Sequence, residues 1–187
     1  MSDQPKDNAR GAGDCPSRPM LGTTPPERNE GTRESEAVFG FIRDFRILDP
    51  TLRELLALWS TRCVEGALPR TRDMGPDFLR GLVTRIALVD VQPEPLDFRY
   101  RIVGSYVEDM LGEKRTGMRA REIFFGSSLE LVLRATEDLL RFRQPVAMWG
   151  TKMPWIDRDY KRWHVLVLPL SESGVTVDRA IMGFAFL

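Results

Sequence analysis

The sequence predicts an α+β fold, a five-stranded antiparallel sheet with helices on one face and an N-terminal helix packing on the domain. Two observations support this fold class. Apolar residues recur at helical spacing in the first half and the middle of the chain, whereas three stretches with strand patterns close it. Only short polar turns separate those three stretches, and such connections favour antiparallel pairing of neighbouring strands.

The composition is typical of one globular domain and excludes several classes of function. Of the 187 residues, 42% are hydrophobic and 29% are charged. Because 27 Lys and Arg balance 27 Asp and Glu, the electrostatic attraction that drives nucleic-acid binding is missing. No stretch approaches the ~18 apolar residues of a membrane span, and the N-terminus lacks the apolar core of a secretory signal. We therefore expect no nucleic-acid partner, no membrane insertion and a cytoplasmic location.

Composition also divides the chain into three parts. Residues 1–36 are rich in proline and glycine and poor in large apolar side chains, which predicts a disordered tail. Residues 37–66 form an N-terminal segment and helix, beginning with an apolar cluster between Val38 and Ile47 that should pack on the domain. Residues 67–187 form the domain that carries the sheet.

Asp49 and Pro50 mark the start of the first helix, because an Asp N-cap followed by proline is a helix-start signal. The helix should end near Gly66. Its apolar face contains Leu52, Leu55, Leu56, Trp59 and Cys63. We expect this face to cover an apolar surface of the domain.

The next two strands are interpreted as a hairpin. The first runs from Arg85 to Val91, and the prolines between Gln92 and Leu96 predict a turn. The second strand alternates between two sets of residues, Phe98, Tyr100 and Ile102 against Arg99, Arg101 and Val103. Arg99 and Arg101 are placed to pair with Asp90 and Asp97 across the hairpin.

Helical segments occupy the middle of the chain. Two short ones, Tyr106 to Leu111 and Ala120 to Phe124, are separated by Gly112 and Gly117. A longer helix follows, because Ser127 and Glu130 have capping-box spacing, and Pro145 ends it. These helices should lie against one face of the sheet.

The three closing strands are apolar on both faces. They are predicted at Val146 to Met153, Tyr160 to Leu170 and Arg179 to Leu187. An antiparallel sheet shows such doubling only when both sides are covered. We expect helices on one face, and on the other the helix that contains Trp59 or a second subunit.

Several short motifs give the chain a family resemblance. They are Leu58-Trp59, Leu68 to Arg70, Asp73 to Pro76, Phe98 to Ser105, Gly112, Thr116-Gly117, Arg143 to Pro145, and Val165 to Gly174. Together with the order of elements, these motifs resemble a bacterial PAS-domain family that is common in alphaproteobacteria as short stand-alone proteins. The resemblance implies a PAS-like domain that is a non-catalytic sensory or protein-interaction module in signal transduction.

Catalysis and tightly bound cofactors find little support in the sequence. His164 is the only histidine, which excludes a histidine-cluster metal site, and we assign no catalytic residues and no metal. Haem is disfavoured because the longer helix contains no histidine ligand, and covalent flavin chemistry is disfavoured because no cysteine follows Cys63. The identity of any cofactor is therefore unknown. The alternative function is a small α+β enzyme, of hydrolase or isomerase type, that uses His164.

A small molecule in the core and a protein partner are the expected ligands. The candidate ligand-binding residues, for which core filling is the alternative role, are Arg101, Tyr106, Met118, Phe124, Met148, Trp149 and His164. The candidate interaction surface, for a homodimer or a signalling protein, consists of Trp59, Trp163 and Phe184.

Overall fold

The computed structural model describes residues 38–151 and 162–187. The predicted tail, residues 1–36, lies outside the described residues, as does the turn at residues 157–159. The strands are β1 (Phe39–Ile42), β2 (Ile86–Pro93), β3 (Leu96–Val103), β4 (Val146–Gly150), β5 (Trp163–Leu170) and β6 (Arg179–Phe186). The α-helices are α1 (Pro50–Ser60), α2 (Pro76–Leu79), α3 (Ser105–Leu111), α4 (Ala120–Ile123) and α5 (Gly126–Phe142). Turns of 3₁₀ helix occupy Phe45–Ile47, Thr71–Met74 and Arg80–Arg85.

The strands form one antiparallel sheet in the order β1-β4-β5-β6-β2-β3, which confirms the α+β fold class. The predicted hairpin is β2 and β3, and the predicted closing meander is β4, β5 and β6. The sheet has a sixth strand that the sequence pattern did not predict. This strand, β1, comes from the apolar cluster and pairs with β4 at the edge of the sheet.

The two faces of the sheet are covered by different helices. The inner face, which contains Val165, Val167, Met182 and Phe184, packs against α5 and the segments before it. The outer face contains Leu166, Leu168, Ile181, Gly183 and Ala185. Helix α1 lies so close to this face that a Cβ added at Gly183 would be 2.6 Å from Leu55 and 2.9 Å from Leu52. The cover of the outer face is therefore the helix that contains Trp59, within the same chain.

Helix α1 begins where the sequence predicted and ends earlier. Asp49 accepts a hydrogen bond from the Thr51 amide at 2.8 Å, as an N-cap should. The helix stops at Ser60 instead of near Gly66. Glu65 and Gly66 both have positive φ values, which a helix does not permit, and they form a turn between Val64 and Ala67.

The N-terminal cap of α5 differs from the predicted capping box. Ser128, not Ser127, makes the capping contacts: its Oγ accepts from the Phe125 amide and donates to the Phe125 carbonyl at 2.6 Å. The helix ends at Phe142, before Arg143 in the left-handed region and Pro145. The helix itself was therefore predicted correctly, but its N-cap is Phe125, two residues before the predicted Ser127.

A bulge changes which side chains of β3 are buried. Leu88 lies opposite Ile102 and Val89 lies opposite Tyr100, so Arg101 is the extra residue. Phe98 and Tyr100 are buried, whereas Ile102, which the alternation placed on the same face, is 60% exposed. The bulge thus removes Ile102 from the apolar set that simple alternation predicted.

Candidate functional site

A small cavity lies between the inner face of the sheet and the helices α3 to α5. We refer to it as the inner cavity, and its volume is about 30 Å³. Side chains from the sheet form its floor, and side chains from α3, from α5 and from the segments before and after α4 form its roof. The lining residues are Tyr100, Leu111, Arg115, Phe124, Ser128, Leu131, Val132, Met148, Trp163, Val165, Met182 and Phe184.

Arg115 is the one charged residue in this lining. It follows α3, in the segment between Gly112 and Gly117, and only 1% of its surface is exposed. Its Nη2 forms an ion pair with the carboxylate of Glu113. Its Nε is buried and has no hydrogen-bond partner among the described residues. Burial lowers the pKa of Arg115, and the Glu113 carboxylate opposes that shift; an arginine nevertheless stays charged.

Tyr100 and Ser128 are the other polar residues of the lining. Burial raises the pKa of Tyr100 to about 12, although the positive charge of Arg115 acts against that rise. The phenol is therefore neutral and is a hydrogen-bond donor at physiological pH. The hydroxyl of Ser128 already donates to the carbonyl of Phe125, the N-cap residue of α5, so it is engaged within the first turn of that helix.

A second and smaller cavity of about 10 Å³ lies farther along the same face. It shares Val132, Met148 and Met182 with the inner cavity, and nearly all of its lining is apolar. Methionine side chains are flexible and fill irregular spaces. A rearrangement of Met148 or Met182 would therefore change the volumes of both cavities together.

Two of the predicted ligand-binding residues line the inner cavity, and five do not. Phe124 and Met148 are in its lining. Tyr106 packs against Phe186, with ring centroids 6.0 Å apart, and beneath the guanidinium of Arg85. Met118 is half-buried, and its carbonyl accepts a hydrogen bond from the Tyr100 amide at 2.9 Å.

The remaining three predicted ligand-binding residues lie away from the inner face. Arg101 is exposed on the bulge of β3 and forms an ion pair with Asp90 at 3.3 Å. Trp149 and His164 lie opposite each other on β4 and β5, in the positions that alternate with the inner-face residues. These three side chains therefore do not contribute to the inner cavity.

The predicted interaction surface requires a correction. Trp59, Trp163 and Phe184 are only 1%, 3% and 5% exposed within the single chain. Trp59 lies on the sheet-facing side of α1, where its Nε1 donates to the Pro169 carbonyl at 2.9 Å. Trp163 and Phe184 line the inner cavity. These aromatic residues, which the sequence suggested for docking, thus belong to the core. Helix α1 covers the outer face and buries Trp59, whereas α5 and the segments before it cover the inner face, which contains Trp163 and Phe184.

His164 is half-buried on the side of the sheet away from the inner cavity. Its Nδ1 is buried without a hydrogen-bond partner among the described residues. Burial lowers the pKa of His164 below 6.5; the charge of Arg162 acts in the same direction and that of Asp49 opposes it. The imidazole is thus mainly neutral near pH 7.

The lowered pKa of His164 makes a prediction about pH. Below pH 6.5 the unfolded chain binds a proton at this site more readily than the folded chain does. The free energy of unfolding should therefore decrease as the pH is lowered from 6.5 to the lowered folded-state pKa. The variant His164→Gln lacks this contribution. Urea titrations between about pH 7 and about pH 5 should show the variant gaining stability relative to the parent as the pH falls. A difference between the two proteins that does not change with pH would contradict the assignment.

Sequence reasoning missed Arg115. A single arginine in a polar segment between two glycines is normally solvated, and no local pattern distinguishes this one. The only signal was its position beside the Thr116-Gly117 motif. Its burial depends on the packing of that segment over Tyr100, which the bridge between Arg99 and Arg119 helps to hold.

Comparison with known proteins identifies the fold family. A family model described as a PAS domain matches residues 47–184, which is well over half of the chain and includes α1, the inner cavity, strands β2 to β5 and most of β6. No curated protein matches the chain. No helix among residues 38–151 and 162–187 combines the length and apolar character that crossing a membrane requires.

Proposed function

Because the chain belongs to the PAS-domain family, we propose that it is a sensory module that binds a small molecule in its inner cavity and signals by association with a protein. PAS membership supports a sensory or interaction role. The single observation that carries the ligand-binding part is the inner cavity, in which a mainly apolar lining surrounds a buried guanidinium and a buried phenol. Natural small-molecule sites have this composition of many apolar groups and few polar ones.

The position of the inner cavity suggests how occupancy would reach the surface. Its lining joins β4, β5 and β6 to α5 and to the segment that contains Arg115. A ligand that binds one arrangement of these elements more tightly than another shifts the population toward that arrangement. The positions of both the sheet and α5 would therefore depend on whether the ligand is bound.

The proposal includes a homodimer or a complex with a signalling protein. Strand β1 is an edge strand, since it pairs with β4 on one side and no described strand lies on the other. Edge strands can pair with a strand of another chain. The proposal also places this module in the cytoplasm, as the sequence predicted.

Native mass spectrometry of the full chain, purified from its own host, tests ligand binding and association together. We expect a retained small molecule, and a mass at micromolar concentration that depends on whether this molecule is present. A ligand that binds only the folded state also raises the melting temperature. Recovery of no small molecule, with no stabilisation by any compound in a thermal-shift screen, would contradict ligand binding.

A pair of matched variants locates the binding. Val132→Phe places a larger side chain in the lining of the inner cavity and should abolish retention of the small molecule. Val175→Phe makes the same change at a position that is 66% exposed and should leave retention unchanged. Circular dichroism of both variants establishes that they are folded. Loss of the molecule from both variants, or from neither, would place the site elsewhere.

Two alternatives are distinguished by the same measurements. An interaction adaptor with a filled core is favoured by the small volume of the inner cavity, about 30 Å³, and predicts no retained ligand. The enzyme that uses His164 has weaker support, because that residue lies away from the inner cavity. Catalytic turnover by the parent protein that is lost in His164→Gln would nevertheless support the enzyme hypothesis.

A further inference from the structure

The inner cavity contains a buried positive charge that the chain neutralises only in part. Arg115 has a side chain that is 2% exposed, whereas its partner Glu113 has a side chain that is 48% exposed. A carboxylate that is half in water screens a buried cation less than a buried carboxylate does. The Nε of Arg115 has no acceptor among the described residues, although buried donors are nearly always hydrogen-bonded.

The rest of the lining indicates the chemistry that would complete this arrangement. Tyr100 adds a buried phenol close enough for the charge of Arg115 to affect its pKa, and the other lining residues are almost all apolar. A guanidinium binds a carboxylate through two parallel hydrogen bonds. A doubly charged phosphate would keep one negative charge without a partner in an apolar site, which is unfavourable.

We propose that the inner cavity binds a small organic monocarboxylate, whose oxygens accept hydrogen bonds from Arg115 in competition with Glu113 and whose apolar body contacts the aromatic and methionine lining. This inference rests on the proposed function, because it names the class of ligand for the same cavity. Arg115 would exchange one carboxylate partner for another, so the buried charge remains paired throughout. Glu113 would then be released to solvent, and the segment from Gly112 to Gly117 would lose one of its contacts.

The size of the inner cavity limits the ligand. A volume of about 30 Å³ accommodates about two water molecules, so a carboxylate with a larger body requires movement of the lining. Met148 and Met182 can supply this movement because they are flexible and border the second cavity. Small carboxylates such as acetate, butyrate and benzoate are therefore the appropriate probes.

Titration calorimetry and thermal shift at constant ionic strength test the charge requirement. Acetate, butyrate and benzoate are compared with acetamide, butyramide and benzamide, which have the same shapes without the charge. We expect at least one carboxylate to bind and to raise the melting temperature, with its amide binding roughly tenfold or more weakly.

Three variants test the role of Arg115. Arg115→Gln should weaken carboxylate binding roughly tenfold or more. Glu113→Gln should strengthen it several-fold, because the competing carboxylate is gone, and this exposed position makes the test independent of how well Arg115→Gln folds. Arg101→Gln, at an exposed arginine on the bulge of β3, is the matched control and should not change binding.

The outcomes separate this inference from the proposed function. If an amide binds as tightly as its carboxylate, or if Glu113→Gln weakens the binding of the carboxylate, the anion inference is overturned while a ligand-binding cavity remains. If no carboxylate binds but a neutral compound is retained in native mass spectrometry, the anion inference is likewise overturned and the ligand-binding cavity remains. If no compound of either kind binds, both the inference and the proposed ligand-binding function fail.

Discussion

Replacement of Trp59 by alanine is expected to lower the free energy of unfolding by about 3–5 kcal/mol. Trp59 is a residue of α1 that is 1% exposed, on the side of the helix that packs on the outer face of the sheet. Its Nε1 donates to the Pro169 carbonyl at 2.9 Å, a contact between residues 110 positions apart in the chain. Trp59→Ala removes the buried ring and leaves a cavity, and the Pro169 carbonyl loses its hydrogen-bond donor.

The variant Trp59→Phe separates the two contributions. It retains most of the buried aromatic surface and loses the hydrogen bond, so a smaller loss of about 1 kcal/mol is expected. Urea unfolding followed by circular dichroism measures both variants against the parent. Equal losses for alanine and phenylalanine would show that the hydrogen bond, not the packing of the ring, supplies the stability.

Replacement of Gly104 by alanine should be strongly destabilising. A Cβ at this position would lie 2.3 Å from the Thr84 carbonyl oxygen and 2.6 Å from that of Val83. Both contacts are with backbone, which cannot rotate away as a side-chain tip can. The Gly104 amide also donates to the Ile86 carbonyl at 2.8 Å, so the end of β3 is held against the start of β2. We expect a loss of at least about 1–3 kcal/mol, the usual range for overpacking.

Gly81→Ala is the matched control for this substitution. No atom lies within 4 Å of the position that its Cβ would occupy, so the change should stay within about 0.5 kcal/mol or be slightly stabilising through the unfolded state. Thermal unfolding of the two alanine variants provides the comparison. Similar melting temperatures would contradict the close approach of Gly104 to the 3₁₀ turn before β2.

Part of the candidate site could be predicted from the sequence. Phe124 and Met148 were assigned to a cavity between helices and sheet, because large apolar side chains on those predicted elements face inward. The other assignments were limited by two tertiary effects. One is the bulge at Arg101, and the other is that Trp149 and His164 lie on the face opposite the inner cavity. Both depend on strand register. Local alternation shows which residues share a face of a strand, but not which of the two faces points toward the helices.

Arg115 is the clearest example of what the local pattern does not contain. Its neighbours, Lys114 and Thr116, are exposed, and nothing in this short polar segment separates the buried residue from the solvated ones. Its burial arises where the segment crosses Tyr100 of β3, to which Gly117 donates a hydrogen bond, and where it shares the inner cavity with Trp163 of β5. The site residue with the most distinctive chemistry was therefore visible only in three dimensions.

The sequence by itself determined the elements whose signals are local. The Asp49-Pro50 start of α1, its apolar face, the closing strands with two apolar faces and the longer helix before Pro145 all depend on capping or periodicity within a few residues. Tertiary structure alone decided that α1 covers the outer face, that residues 39–42 add a sixth strand beside β4, and that Arg115 enters the inner cavity. The physical reason is that these three outcomes depend on contacts between distant segments, and such contacts are selected by total burial and pairing across the domain.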